Sequence, residues 1–298
     1  MKNLKSKTDQ IISTIKEKER KKLAELEQKA ILENYEGDDE LTSFLDTFLE
    51  VKNSPLRDVY PTGHTLLDEH LDGGFRPGEL ILVSGYTNNG KTSFCYDLTR
   101  RMHKQQIFWI PFEESAEELA EKCARYKQEP VPFFHPKKIV REDVEWIEER
   151  ILEAKLKKGC KIVFIDNLHF ITMSDKDDFA KTGLLCKQLK QIADKLGVAI
   201  VLIAHLRKSK EGMDKMPTEE DISGSSDGAK VANKILSVWQ EQVRELGTKK
   251  VKFTGRTFVI TQKIRSAFGK KGAIPFSWDK GVYKEETIED ETKRANEF

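Results

Sequence analysis

The segment Gly85-Tyr86-Thr87-Asn88-Asn89-Gly90-Lys91-Thr92 fits the pattern G-x-x-x-x-G-K-[ST]. Glycines at the first and sixth positions let the backbone curl so that successive N–H groups point at phosphate oxygens. The lysine neutralises the β- and γ-phosphates of a nucleotide, and the final hydroxyl can ligate Mg²⁺. The segment therefore predicts a phosphate-binding loop (P-loop) for ATP and Mg²⁺, with contacts from Gly85, Tyr86, Thr87, Asn88, Asn89, Gly90, Lys91, Thr92 and Ser93.

The sequence on either side of the P-loop has the pattern of an α/β fold. Apolar, β-branched runs predict strands at Glu79–Gly85, Gln106–Phe112, Lys161–Asp166, Val198–His205 and Thr257–Lys263, with further strands at Lys234–Gln240 and Ile274–Trp278. Helical segments lie between the first four runs, around Thr92–Met102, Ala116–Tyr126, Arg141–Lys158 and Thr182–Leu196. Nearly continuous apolar strands are buried on both faces, so we expect a mainly parallel central sheet flanked by helices.

Residues 1–55 have a different, helical pattern. Thr8–Tyr35 is highly charged, and its apolar positions are spaced by three or four, which predicts an amphipathic or a simply solvated helix. A second, shorter helix around Leu41–Leu49 carries one apolar stripe, which could pack on its own core or on a neighbouring subunit, and periodicity alone favours the first. We expect an ATPase domain at 56–285 and a polar tail at 286–298, with loose chain from Glu285 onward.

Composition narrows the class of protein. The 298 residues are 38% hydrophobic and 34% charged, with a net charge of +1, which argues against broad electrostatic coating of nucleic acid. No apolar run is long enough to span a membrane, and the basic start Met1–Gln10 lacks an apolar signal core. Four widely spaced cysteines form no metal-binding pattern. We therefore expect a cytoplasmic protein with reduced thiols and no membrane partner.

Carboxylates end two of the predicted strands. Asp166 closes Lys161–Asp166, and beside a P-loop it is the natural residue to hold Mg²⁺ through water. Glu113 and Glu114 follow the strand Gln106–Phe112, where a carboxylate could orient or deprotonate the attacking water. We favour Glu113 over Glu114 as the catalytic carboxylate. The alternative is a solvated pair at the start of a helix, where acidic residues are favoured anyway.

His205 ends the strand Val198–His205 at the same predicted sheet edge. It could sense the γ-phosphate, or it could be a hydrogen-bonded histidine at a strand end. The sequence leaves both readings open.

Five segments in order resemble the motor domain of DnaB-type (superfamily 4) helicases, the family that includes the mitochondrial helicase Twinkle and the helicase half of phage primase-helicases. The resemblance covers about residues 55–285, and only the P-loop motif is specific by itself. It rests on PTGHTLLDEHLDGGFRPGELILVSGYTNNGKTSF (Pro61–Phe94), PFEESAEELAEK (Pro111–Lys122), KIVFIDNLHF (Lys161–Phe170), IAHLRKS (Ile203–Ser209) and QKIRSAFGKKG (Gln262–Gly272).

The resemblance implies a RecA-like fold and a homo-hexameric ring with ATP bound between subunits. It makes Glu113 the catalytic carboxylate and His205 the γ-phosphate sensor. It makes Arg265, assisted by Lys263, a finger that reaches a neighbour's nucleotide. Without the resemblance, those two charges would be read as the solvated edge of a strand. The helix around Leu41–Leu49 takes the place of the family's linker helix, which packs on the adjacent subunit.

The resemblance also implies that single-stranded DNA is held by two stretches, about Met173–Thr182 and Arg207–Asp227. In the second, phosphates could be gripped by Arg207, Lys208, Lys210 and Lys215. An ordinary surface loop is the alternative. A primase or a helicase loader is a further partner that the resemblance suggests.

Two departures from the family pattern stand out. Asn88-Asn89 replaces the smaller residues that are common in these P-loops, and the chain carries no primase module. The leading hypothesis is an ATP-dependent replicative DNA helicase. The alternatives are a RecA- or RadA-like ATPase that binds DNA without unwinding it and a KaiC-like ATPase that acts on proteins.

Overall fold

A computed structural model describes residues 2–37, 40–54, 58–125, 130–167, 178–205, 215–218, 221, 226–244, 251–279 and 281–287. The chain forms two compact units, Met1–Leu56 and Arg57–Phe298. In the described part of the chain no helix is long and apolar enough to cross a membrane.

The described part of the first unit contains two helices, α1 (Lys2–Glu33) and α2 (Phe44–Asn53). Helix α2 begins later than the sequence predicts because Ser43 caps it: the Ser43 hydroxyl accepts a hydrogen bond from the Asp46 N–H at 3.0 Å. Leu41 therefore precedes the helix. The apolar stripe of α2 is exposed, with 84% of Phe44 and 50% of Phe48 accessible to solvent.

The second unit alternates helices and strands. Its helices are α3 (Thr65–His70), α4 (Lys91–Arg101), α5 (Ala116–Arg125), α6 (Val144–Lys158), α7 (Asp178–Leu196) and α8 (Ser226–Val231). Its strands are β1 (Leu80–Gly85), β2 (Ile107–Pro111), β3 (Phe133–Phe134), β4 (Ile162–Asp166), β5 (Ala199–His205), β6 (Lys234–Arg244), β7 (Val251–Ile264), β8 (Gly272–Asp279) and β9 (Val282–Glu285).

The nine strands found among the described residues form one sheet in the order β3-β2-β4-β5-β1-β6-β7-β8-β9. The strands from β3 to β6 pair in parallel, whereas β7, β8 and β9 continue the sheet with antiparallel pairs. The predicted α/β, RecA-like fold with a mainly parallel sheet is confirmed. The sequence analysis missed four of these elements: α3, β3, α8 and β9.

The sheet is buried on both faces. Alternate residues of β1 point into two different apolar clusters, Leu80 and Leu82 into one and Ile81 and Val83 into the other. This is why the strand reads as a continuous apolar run. The carboxyl ends of the parallel strands lie together at one edge of the sheet, where side chains from several strands can form one site.

The tail begins later than the sequence predicts. Glu285 is not loose, because it closes β9, and its carboxylate accepts hydrogen bonds from the N–H groups of Leu66 (3.0 Å) and Leu67 (2.8 Å) at the start of α3. Glu286 is buried and pairs with Arg256 at 2.9 Å. The sequence pattern shows only a polar run here, because the partners of Glu285 lie more than 200 residues earlier in sequence and that of Glu286 lies on another strand.

Candidate nucleotide-binding site

The P-loop joins β1 to α4 in the geometry that its glycines predict. Gly90 has a φ of 80° and precedes the first turn of α4, a conformation that strains any residue with a side chain. Gly85 is confined by its surroundings, since a Cβ there would lie 2.5 Å from the Val238 carbonyl oxygen. The first turn of α4, with its unsatisfied N–H groups, therefore opens directly onto the loop.

The two asparagines of the loop have separate roles. Asn88 has a φ of 63°, which asparagine tolerates better than most residues. Asn89 is buried, and its side-chain oxygen accepts a hydrogen bond from the Gln240 N–H at 2.9 Å. This bond attaches the P-loop to β6. It gives a structural reason for Asn89, the second of the two asparagines that depart from the family pattern.

Lys91 projects into the centre of the site. Its Nζ donates to the Tyr86 carbonyl at 3.0 Å and lies 3.0 Å from His205 Nδ1. Burial lowers the pKa of Lys91 to about 8, although the nearby carboxylates of Asp166 and Glu113 act in the opposite direction. The ammonium is thus poorly solvated and suited to receive an anion.

Thr92 and Asp166 form the candidate metal site. The Thr92 hydroxyl donates to Asp166 Oδ2 at 2.8 Å. Burial raises the pKa of Asp166 to about 6, against the lowering effect of the Thr92 hydrogen bond. Asp166 Oδ1 is buried and has no hydrogen-bond partner among the described atoms. A hydroxyl beside an unsatisfied carboxylate oxygen fits a Mg²⁺ ion held partly through water.

Glu113, rather than Glu114, faces the other site residues. Glu113 Oε2 accepts a hydrogen bond from Asn167 Nδ2 at 2.5 Å and lies 3.4 Å from His205 Nε2. Glu114 also borders the cavity, but it forms an ion pair with Lys122 of α5. Sequence reasoning missed Asn167, which follows Asp166 directly and sets the direction of the Glu113 carboxylate.

His205 connects the lysine to the carboxylate. An ammonium group can only donate, so His205 Nδ1 accepts from Lys91 and the ring proton is on Nε2, facing Glu113. A continuous chain of polar contacts therefore runs from Lys91 through His205 to Glu113.

These residues surround a cavity of about 670 Å³, a size suited to a nucleotide. Its lining includes Gln240, Trp278 and Tyr283, which sequence reasoning did not single out. Trp278 is 41% exposed, and the Tyr283 hydroxyl donates to the Gly90 carbonyl at 3.3 Å. The antiparallel pairing of β8 with β9 places Trp278 opposite Tyr283, and both line the cavity.

Lys263 and Arg265 lie at the opposite end of the sheet. Ile264 pairs with Lys234, and Lys234 pairs with Ile81 of β1. Because β7 runs antiparallel to β1, Arg265 lies past Ile81 towards the amino end of β1. Ile81 itself is four residues before Gly85, or about 13 Å along the strand. The structure therefore does not bring Arg265 to the P-loop of its own chain.

Both cations instead contact the end of α8. Lys263 Nζ donates to the carbonyls of Ala229 (2.6 Å) and Lys230 (3.1 Å). Arg265 Nη2 also donates to the Lys230 carbonyl. These contacts satisfy carbonyls that have no partner within the helix.

A family model described as the DnaB-like helicase C-terminal domain matches residues 135–286, about half of the chain. The chain belongs to the DnaB-like helicase family. The resemblance seen in the sequence motifs is thereby confirmed. A second model, described as the KaiC ATPase, matches residues 60–144, which contain the P-loop.

Curated relatives support this DnaB-like assignment. The replicative DNA helicase DnaB of Leifsonia xyli subsp. xyli is 23% identical over 256 residues, which are 75% of this chain and 54% of that protein. The DNA repair protein RadA of Halalkalibacterium halodurans is 28% identical over 148 residues, 48% of this chain and 31% of that protein. The chain thus spans about half, or less, of the length of these two relatives.

Solved structures show the same fold. One solved ATPase domain has a TM-score of 0.66 at 17% identity, covering 82% of this chain and 97% of that one. A DnaB-like replicative helicase, solved in a study of its interactions with primase, has a TM-score of 0.64 at 18% identity, covering 87% and 70%.

The structure describes only some of the residues that the resemblance assigns to DNA binding. Arg207, Lys208 and Lys210 lie outside the described residues, as do residues 173–177 of the first candidate stretch. Lys215 is described and exposed. It leads into the buried Pro217.

Proposed function

We propose that this chain is the ATP-hydrolysing motor of a ring-forming replicative DNA helicase that translocates on single-stranded DNA. One observation carries the proposal. Five polar side chains meet at the carboxyl ends of the parallel strands, whereas Lys263 and Arg265 lie at the opposite end of the sheet. The five are Lys91, Thr92, Glu113, Asp166 and His205. This division supports a nucleotide site that a neighbouring subunit completes.

Each side chain has a distinct part in hydrolysis. Lys91 would leave His205 to neutralise the nucleotide phosphates, and Thr92 with Asp166 would hold Mg²⁺. The metal would supply charge neutralisation at the β- and γ-phosphates. Glu113 accepts the proton of the attacking water, and Asn167 keeps its carboxylate in place. His205 then lies where it can report whether the γ-phosphate is present.

Arg265 of one subunit would stabilise the charge that develops on its neighbour's γ-phosphate. Support comes from its place on the sheet, since its own P-loop lies more than about 13 Å away along the strands. The exposed stripe of α2 would bind the adjacent subunit, which gives the ring a second contact. We propose that the ring contains six subunits, the number that the family resemblance implies.

Single-stranded DNA would contact Lys215 together with Arg207, Lys208 and Lys210. Lysine and arginine contacts to phosphates are independent of base sequence, as a translocating motor requires. Primase or a helicase loader is proposed as a further protein partner, because one structural relative was solved in a study of helicase and primase.

A second candidate function rests on specific matches. The KaiC model covers the P-loop half of the domain, and the RadA protein is a relative. Under this alternative the chain is an ATPase that binds DNA or protein without unwinding a duplex.

Three measurements on the purified chain separate these functions. They are the ATPase rate with and without oligo-dT, the particle mass, and the unwinding of a forked duplex. The proposal requires DNA-stimulated hydrolysis, a ring-sized particle and strand separation that depends on ATP. Stimulation without strand separation, at any fork design, would favour the RadA-like function. A rate that is indifferent to DNA would favour the KaiC-like one.

A further inference from the structure

The hairpin formed by β8 and β9 carries the aromatic part of the cavity lining. Trp278 of β8 lies opposite Tyr283 of β9, and both side chains line the cavity beside the P-loop. Trp278 is exposed, whereas Tyr283 is buried. An accessible indole ring beside a phosphate-binding loop can stack on a nucleobase. Trp278 and Tyr283 are called the aromatic wall below.

Two consecutive arginines at the end of α4 hold this hairpin. Arg100 Nη1 donates to the carbonyl of Gly281 at 3.0 Å, in the turn between β8 and β9. Arg101 Nη2 donates to the carbonyl of Tyr283 at 2.7 Å. Both donors are charged, which strengthens the bonds. Helix α4 begins at Lys91, so one helix bears the phosphate-binding lysine at its start and attaches the aromatic wall at its end.

A buried carboxylate on the same helix fixes the direction of the second arginine. Asp97 Oδ2 accepts a hydrogen bond from Arg101 Nε at 2.8 Å and lies 2.8 Å from His64 Nε2. Asp97 Oδ1 accepts from the N–H of Tyr283 at 3.2 Å. Residues of α4 therefore bind both the N–H and the carbonyl of Tyr283, and the buried network favours a single arrangement.

The aromatic wall also contacts the P-loop directly. The Tyr283 hydroxyl donates to the Gly90 carbonyl at 3.3 Å, and a Cβ on Gly90 would lie 2.6 Å from that hydroxyl. The ring of Tyr283 packs edge-on against Phe94 in the first turn of α4, with the ring centroids 5.4 Å apart. These contacts set the separation between the phosphate-binding loop and the aromatic wall. In a bound nucleotide, that separation has to match the distance from the phosphates to the base.

We propose that Arg100 and Arg101 are positioning residues that hold the aromatic wall where it receives the nucleobase of the bound nucleotide. The inference rests on the nucleotide-binding part of the proposed function and is independent of DNA binding and ring formation. Neither arginine is among the described residues that line the cavity, so both act through the backbone of the hairpin. Loss of either bond should therefore weaken the binding of a nucleotide but not of a ligand that consists of phosphates alone.

The test compares ADP with inorganic pyrophosphate, both with Mg²⁺, by equilibrium titration of the full chain. Arg100→Met and Arg101→Met remove the donors to the hairpin, and Arg100→Lys keeps a charged donor. Arg150→Met of α6 is the matched control, because Arg150 is also a half-buried arginine but pairs with Glu149 and Glu153 of its own helix. The Tm of each variant is measured as well.

We expect Arg100→Met to bind ADP about tenfold more weakly than the wild type, the scale for losing one hydrogen bond from a charged donor. Its affinity for pyrophosphate should be unchanged. Arg101→Met should shift the two affinities in the same way, Arg100→Lys should recover most of the ADP affinity, and Arg150→Met should match the wild type.

A double substitution tests whether the arginine acts through the aromatic wall. In a Trp278→Ala background, Arg100→Met should cause little further loss of ADP affinity, because residues that act through one shared contact are not additive. Fully additive losses would show that Arg100 acts on another part of the nucleotide, and they would overturn the proposal.

Other results overturn the proposal in distinguishable ways. An unchanged ADP affinity in both methionine variants refutes the positioning role. Equal losses for ADP and pyrophosphate, or a lower Tm with loss of all binding, show that the arginines support the P-loop or the fold instead. A wild type that binds neither ligand refutes the nucleotide site of the proposed function. A wild type that binds ADP but does not unwind DNA refutes the helicase function and leaves this inference standing.

Discussion

Lys91 Nζ lies 3.0 Å from His205 Nδ1, although the two residues are 114 positions apart in sequence. The contact forms because β1 and β5 pair in register, with Gly85 opposite His205. In the proposed function, a γ-phosphate would bind the same ammonium group that His205 contacts. Its arrival would then act on His205 and, through the other ring nitrogen, on Glu113.

Glu113→Gln should bind nucleotide nearly as well as the wild type but hydrolyse it roughly a hundredfold more slowly or worse, the usual scale for losing a positioned base. The amide keeps the size of the side chain and cannot accept a proton. Single-turnover kinetics measure the hydrolysis rate, and an equilibrium titration measures the nucleotide Kd. Glu114→Gln is the control, because Glu114 is paired with Lys122. If the control is the slower enzyme, the catalytic carboxylate is Glu114.

Asp166→Asn should stabilise the nucleotide-free protein at pH 7.5 while abolishing Mg²⁺-dependent hydrolysis. Burial raises the pKa of Asp166 from 3.8 to about 6, so above that pH the native state carries an ionised carboxylate at a free-energy cost that the unfolded chain does not have. At 1.36 kcal/mol per pKa unit the gain is at most about 3 kcal/mol.

The sign of this pH dependence follows from proton binding. Between pH 3.8 and about 6 the native wild type holds a proton that the unfolded chain has lost, so its stability falls as pH rises through this window. The advantage of Asp166→Asn should therefore grow from pH 4 to pH 6 and then level off in denaturant titrations. A constant difference across that range contradicts the prediction.

Trp278→Ala should raise the KM for ATP about tenfold, with a smaller effect on kcat. An aromatic face in the cavity can stack on the nucleobase, and such stacking is worth about 1–3 kcal/mol per base where it has been measured. Trp278→Phe should retain most of the affinity. An unchanged KM for Trp278→Ala would place the base elsewhere in the cavity.

Phe44→Ala combined with Phe48→Ala should weaken assembly. Each ring would fill an apolar pocket, and such truncations cost roughly 3–5 kcal/mol when the ring is fully buried. Light scattering over a dilution series measures the effect, with Leu32→Ala of α1, another exposed apolar residue, as the control. A particle of unchanged mass but lower Tm would mean that the stripe packs within its own chain.

Arg265→Ala should lose turnover by about 10³–10⁵, the range for arginine fingers in other nucleotide hydrolases, while nucleotide affinity changes little. Lys91→Ala should also be inactive. In mixed assemblies, an interface with Lys91 from the first variant and Arg265 from the second is intact, so some activity should return.

If the two variants co-assemble but show no activity at any mixing ratio, two explanations remain. Either Arg265 acts within its own chain, or hydrolysis needs several intact interfaces at once. Covalently linked dimers that carry the two substitutions in either order distinguish them.

The sequence was most informative where function depends on local spacing. The P-loop, Asp166 and His205 each end or follow a buried apolar strand, so their positions could be predicted from strand ends alone. Trp278 and Tyr283 could not be found this way, because their place at the cavity depends on the register of antiparallel strands. The partners of Lys263 and Arg265 were also hidden, since backbone carbonyls of a short helix in a Gly/Ser-rich run leave no sequence pattern.

Lys91 and Arg265 lie at opposite ends of the sheet. In any assembly in which they meet across an interface, this placement fixes the number of complete sites per chain. An open row of subunits always ends with one unmatched P-loop and one unmatched Arg265, so it has one working site fewer than it has chains. Closure of the row is the only step that matches every pair. Activity per chain should therefore rise with protein concentration and become constant when the last gap closes, which makes turnover itself a measure of closure.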